Sequence, residues 1–288
     1  MFQSITLFGN TLKLYDVFNN MATIAELVLM FMLIKDYKKL SSMPAIANKY
    51  YDKKGRKSKA YESRFYILEM LCTGAVITVF ANITATPLSQ IFLGSSDANF
   101  FPNVLITPLV IIALAFIFKL SMLKMTDFTA HFTSIALIFF KIACFCDGCC
   151  NGIEYDRGLY NHVTERYEVP VQLIELACAV LIFITLFVMR KKCSNPGLRF
   201  PVFMIMYSGL RFCSEFLRDD YPAVVGRMTG YHILCLIGLV LGIAFLVVVL
   251  KYGDKITAYF ESRNQAFYDK KINAYNAKRM SARKRKKK

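Results

Sequence analysis

Long apolar stretches separated by loops of alternating charge constrain this chain more than any other feature in it. A membrane-crossing helix needs about 20 mostly apolar residues, because the hydrocarbon core is about 30 Å thick and each residue rises about 1.5 Å. Seven stretches meet or approach that length, near residues 17–34, 66–92, 101–122, 128–149, 169–189, 199–218 and 231–251. The first is the weakest, since Glu26 interrupts it. Hydrophobic residues make up 56% of the chain and mean hydropathy is +0.40, which suits an all-α integral membrane protein of seven transmembrane helices rather than a water-soluble domain.

Loop charge orients those spans. The segment Lys35 to Arg64, the pair Lys119 and Lys124, the run Arg190-Lys191-Lys192 and the terminal Arg-Lys-Arg-Lys-Lys-Lys fall on one side of a seven-span chain. The opposite loops carry Ser95-Ser96-Asp97, the segment Glu154 to Glu168, and Asp219-Asp220. By the positive-inside rule the N-terminus is extracytoplasmic and the C-terminus cytoplasmic. Residues 1–252 then form the transmembrane domain and 253–288 a cytoplasmic basic tail, whose aromatics from Tyr259 to Tyr275 suit an interfacial helix. The net charge of +16 would suggest nucleic acid in a soluble protein, but the spans exclude that role, and a juxtamembrane basic run is drawn to anionic lipid instead. No small-residue cleavage site follows the first apolar run, so no cleavable signal peptide is expected.

Inside the sixth span Tyr207, Arg211, Glu215 and Arg218 recur at helical spacing, within an arc of about 80°. An ionisable residue near the middle of a membrane helix costs about 2.5 to 3.5 kcal/mol on insertion scales, so several on one stripe point to a polar site within the bilayer. Counting 1.5 Å per residue from the cytoplasmic ends places Lys141 of the fourth span and Arg211 at about the same depth, roughly 20 Å and 18 Å in. The fifth span opens Pro170-Val-Gln172-Leu-Ile-Glu175, with Gln172 and Glu175 on one face. Lys141, Glu175, Arg211, Glu215 and Arg218 are therefore expected to meet in the outer half of the bilayer, as a binding site or as an ion-pair network holding helices together.

Cysteines crowd the exit of the fourth span at Cys144, Cys146, Cys149 and Cys150. A metal would use Cys146 with Cys149, but no second pair or histidine lies at a supporting spacing, so neither metal nor other cofactor is assigned. The adjacency of Cys149 and Cys150 leaves any disulfide pairing open. Among the histidines, His131, His162 and His232 are read as surface or packing residues, with His232 the best placed to act as a base.

Four segments carry a family resemblance: Lys-Ile-Ala-Cys-Phe-Cys-Asp-Gly-Cys-Cys-Asn-Gly from Lys141, Pro-Val-Gln-Leu-Ile-Glu from Pro170, Pro-Gly-Leu-Arg-Phe from Pro196, and Tyr-Ser-Gly-Leu-Arg-Phe-Cys-Ser-Glu-Phe-Leu-Arg-Asp from Tyr207. In order and spacing they resemble the signatures of prolipoprotein diacylglyceryl transferase, over about Asp127 to His232. The resemblance implies a multi-pass protein of the bacterial plasma membrane. Its partners would be phosphatidylglycerol and a preprolipoprotein signal peptide with a lipobox cysteine, with anionic lipids at the basic tail. The diacylglyceryl group would pass to the cysteine thiol and glycerol phosphate would leave.

The resemblance also implies roles. Arg211 and Arg218 would bind or stabilise the phosphate, with Lys141 keeping the charge of a catalytic arginine, Glu215 would orient the arginine pair or take a proton, and Tyr207 would hydrogen-bond the lipid head. Arg218, Gln172, Glu175, Gly152 and Cys144 would bind or line the substrate site, with Gly152 permitting a tight exit turn. Three positions depart from the family. Lys141 stands for an arginine, and Cys144 and Cys149 stand for an asparagine and a glutamate, as in a cysteine-rich branch. The third-span motif, His or Tyr followed by Gly-Gly, has no match near Phe100-Phe101-Pro102-Asn103. The alternative reading is a non-catalytic relative that binds anionic lipid or a signal peptide.

Overall fold

A computed structural model describes residues 4–7, 10–40, 83, 87, 90–91, 100–118, 121–193, 195–219 and 222–285. Apart from four helical residues, the expected second span lies outside these. A hairpin of β1 (Ser4–Leu7) and β2 (Asn10–Lys13) leads into α1 (Leu14–Leu40). Then follow α2 (Phe100–Phe118) and α3 (Met122–Asp147), a hairpin of β3 (Glu154–Asn161) and β4 (Arg166–Glu168), then α4 (Val171–Lys192) and α5 (Arg199–Glu215). A short ribbon of β5 (Ala223–Val225) and β6 (Met228–Thr229) precedes α6 (Gly230–Arg285). The chain is thus mainly helical, with small antiparallel hairpins where the sequence suggested loops.

Among the described residues four segments are long and apolar enough to cross a membrane: Phe100–Ile117, Met122–Asp147, Val171–Lys192 and Gly230–Arg263. Their outward faces are apolar, with Leu181 and Ile184 of α4 and Val240, Val247 and Leu250 of α6 exposed, as lipid contact requires. Helix α5 has 17 residues, about 25 Å of helix. It ends at Glu215, so Arg218 lies beyond the helix on which the stripe placed it.

Helix α3 is central and packs against every other described helix. It begins at Met122, six residues before the expected start of the fourth span. Lys124, read as a loop charge, is inside the helix and pairs with Glu261 at 2.6 Å. Asp127 accepts hydrogen bonds at 2.8 Å from the backbone N–H groups of both Gly197 and Arg199. A buried carboxylate thereby supplies the acceptors that the start of α5 lacks. Gly148 ends α3 in the left-handed conformation (φ 74°) and donates its N–H to Cys144 O at 3.1 Å.

Helices α5 and α6 approach closely because Gly238 and Gly242 face α5. A Cβ on Gly238 would lie 2.5 Å from Ser208 Oγ, and one on Gly242 would lie 3.0 Å from Ile205 Cγ1. Helix α6 then continues without a break from Gly230 to Arg285, so the polar residues after 252 extend the seventh span as one helix. The core lies in two clusters, one around Leu29, Ile111 and Phe128, the other around Phe101, Phe203 and Leu234. The second cluster floors the site described next.

Candidate functional site

Three helices and the turn after α5 deliver their ionisable side chains to one buried node. Glu175 of α4 is its hub. Lys141 Nζ lies 2.6 Å from Glu175 Oε2, Arg211 Nη1 pairs with Oε1, and Arg218 Nη1 lies 3.5 Å from Oε2. Ser214 donates its hydroxyl to Oε1 at 2.9 Å. The second carboxylate, Glu215, lies 2.7 Å from Arg211 Nη2 and 3.7 Å from Arg218 Nε, and accepts from Thr229 Oγ1 at 2.8 Å. Lys141, Glu175 and Arg211 are each 5% exposed and Glu215 2%. Charges so enclosed persist only when paired. Here three cations, Lys141, Arg211 and Arg218, converge on two carboxylates.

Aromatic residues line the node. The Arg211 guanidinium lies 4.8 Å from the Tyr231 ring centroid. Tyr207, one turn below Arg211, packs against Phe100, Phe101 and Phe203. Phe100 and Phe101 therefore present rings, and no polar group, to Tyr207. A cavity of about 10 Å³ adjoins Glu175, Tyr207, Arg211 and Ser214. That is about the room of a single water, so a phosphate enters only by displacing present partners.

The exit turn of α3 roofs the node. Residues 151–153 pair with 217–219 through Ile153 N–H to Leu217 O at 3.0 Å and Asp219 N–H to Asn151 O at 3.1 Å, with Gly152 opposite Arg218. Only glycine fits at 152, because a Cβ there would lie 2.1 Å from Val169 O. Gln172 Nε2 donates to Cys149 O at 2.7 Å, so Gln172 holds the turn and does not join the ion pairs. Cys144 is buried beneath the turn with Cys149 and Cys150 beside it.

Some residues were not singled out from sequence. Glu168 and Asn161 close the hairpin over the turn: Asn161 Nδ2 donates to Gly148 O at 3.1 Å and to Glu168 Oε2 at 3.3 Å, and Arg166 Nε donates to Glu168 Oε1 at 2.8 Å. Burial raises the Glu168 carboxyl, but hydrogen bonds from Arg166, Thr164 and Asn161 outweigh it and hold the group below its usual carboxylate range. His232 is buried behind Thr229, whose N–H donates to its Nδ1 at 3.0 Å, and is packed by Phe212 and Phe216. His131 sits at the other end of the bundle, its Nδ1 2.9 Å from Asp127 O, and His162 is exposed beside Tyr160.

The sequence profile of prolipoprotein diacylglyceryl transferase matches residues 102–248, just over half of the chain. That stretch contains the whole node, its roof and helices α3 to α5. No curated protein matches the chain.

Proposed function

The chain belongs to the prolipoprotein diacylglyceryl transferase family, and we propose that it transfers the diacylglyceryl group of phosphatidylglycerol to the thiol of a lipobox cysteine in a preprolipoprotein. The observation that carries this reading is the convergence of Lys141, Arg211 and Arg218 on one buried node. A phosphodiester headgroup brings a negative charge to which those cations can turn. The acceptor thiol first loses its proton to water; as the thiolate sulfur bonds to the glyceryl carbon, the carbon–oxygen bond to phosphate breaks and its electron pair stays on the departing glycerol phosphate. Charge grows there, where Arg211, Arg218 and Lys141 would stabilise it. Glu175 and Glu215 would hold the cations in place until the phosphate arrives, and Tyr207 would hydrogen-bond the headgroup.

The protein is a multi-pass membrane protein, and we place seven spans with the N-terminus extracytoplasmic, residues 1–252 as the transmembrane domain and 253–288 as the cytoplasmic basic tail, in a bacterial plasma membrane. In that orientation the node faces the outer leaflet. An apolar groove of about 350 Å³, lined by Val28, Leu29, Met32, Ile135, Phe183 and Phe187, lies deeper between α1, α3 and α4. Ile135 and Phe183 are about 9 Å and 12 Å along their helices from Lys141 and Glu175. An acyl chain hanging from a headgroup in the node reaches that groove.

Phe100 and Phe101 against Tyr207 favour a second reading, in which the chain binds the anionic headgroup without transfer. Expression in cells depleted of their own transferase separates the two. Transfer adds diacylglyceryl mass to a resident lipoprotein and restores growth. Unmodified lipoprotein with the protein present in the membrane would contradict transfer.

A further inference from the structure

The roof of the node holds three cysteines whose sulfurs take no part in the bond-making and bond-breaking of the proposed transfer. The sulfurs of Cys144, Cys149 and Cys150 all lie within 4.8 Å of one another. Two backbone features bring them together: Gly148 reverses the chain at the end of α3, and Cys150 itself takes a left-handed conformation (φ 66°) rare for a residue with a Cβ. Cys146, in the same segment, is not part of the cluster.

We propose that Cys144, Cys149 and Cys150 form a three-sulfur site for one thiophilic d10 cation, Zn(II) or Cu(I). Zinc–sulfur bonds of about 2.3 Å at a tetrahedral angle set sulfurs about 3.8 Å apart, and a trigonal arrangement sets them about 4.0 Å apart. The three sulfurs, all within 4.8 Å of one another, lie within about 1 Å of either spacing. Binding replaces three thiol protons by the metal and leaves a complex of net charge −1 with Zn(II) or −2 with Cu(I). Gln172, donating to Cys149 O, fixes the backbone between two of the ligands. A bound ion would pin the exit turn to the last turn of the helix that carries Lys141.

The test uses full-length protein purified in detergent under reducing conditions from cells supplied with zinc and copper. Elemental analysis should find about one equivalent of zinc or copper per chain, which metal prevails distinguishing the two sources. Cys144→Ala and Cys150→Ala should each lose it, and Cys146→Ala should keep it. In case the variants misfold, metal-stripped wild type is titrated with Cd(II) and then alkylated. Saturation at one equivalent with Cys144, Cys149 and Cys150 alone protected from the reagent supports the site. Protection of other cysteines, no protection, metal retained by both cluster variants, or a disulfide within the cluster under reducing conditions overturns it.

Discussion

Replacing Glu175 by Gln probes the node at its hub. The substitution keeps size and a hydrogen-bonding oxygen but removes the charge that Lys141, Arg211 and Arg218 share. Arg211 and Arg218 keep Glu215, Lys141 loses the carboxylate 2.6 Å from its Nζ, and the node becomes more positive by one charge. Breaking a buried ion pair from one side costs about 3 to 5 kcal/mol, because the partner left behind stays desolvated. At about 2 to 4 °C per kcal/mol for a chain of this size, the unfolding midpoint should fall by roughly 6 to 20 °C. A lipid phosphate supplies the missing negative charge, so the loss should be smaller in phosphatidylglycerol nanodiscs than in phosphatidylcholine ones. Thermal unfolding followed by circular dichroism in both lipids gives the two numbers. A Glu175→Gln protein that unfolds with the wild type in phosphatidylcholine would refute the hub assignment, and an equal loss in both lipids would refute phosphate binding at the node.

Arg211→Lys keeps the charge and loses the planar fork that bridges Glu175 and Glu215; it should preserve expression yet weaken phosphatidylglycerol binding about tenfold, the effect of one charge-assisted hydrogen bond, and unchanged binding in a purified assay would leave Arg211 a structural role only. Glu168 links the hairpin over the roof to acid pH. Its folded carboxyl lies below the unfolded value of about 4.3, so the stabilisation is complete above that value and is lost as pH falls through the folded one. Amide exchange in residues 154–168, corrected for intrinsic rates, should be flat from pH 7 to 5 and rise below about pH 4; loss of protection between pH 7 and 5 would point to another group. Single cysteines introduced near Lys54 and Ser281, in a background without accessible native thiols, should resist an impermeant thiol reagent in intact cells while one near His162 reacts. Labelling of the tail from outside would overturn the seven-span orientation.

The polar node was legible in the sequence because ionisable residues stand out in apolar spans, and helical period put Tyr207, Arg211 and Glu215 on one face. Which carboxylate is central was not legible. Period relates residues within a helix, whereas Glu175 is the hub because α4 packs between α3 and α5. The same limit hid the pairing of Lys124 with Glu261 and the grip of Asp127 on the start of α5, contacts across long stretches of chain that moved the start of α3 to Met122. Arg218 reaches the node from beyond its helix because residues 217–219 pair with 151–153. The cysteine cluster escaped spacing rules because its geometry depends on left-handed backbone at Gly148 and Cys150.

The central claim is transfer chemistry at a cationic node, and purified protein tests it with a lipobox peptide and phosphatidylglycerol, scored by mass for thioether-linked diacylglyceryl peptide at pH 7 and pH 9. Because Phe100 and Phe101 face Tyr207 with rings and bring no polar group there, deprotonation of the acceptor thiol should limit the reaction, its ordinary pKa being about 8.5. Product should therefore be scarce at pH 7 and several-fold more abundant at pH 9, and should need phosphatidylglycerol rather than phosphatidylethanolamine. No thioether product at either pH, with no phosphatidylglycerol binding, would contradict the account.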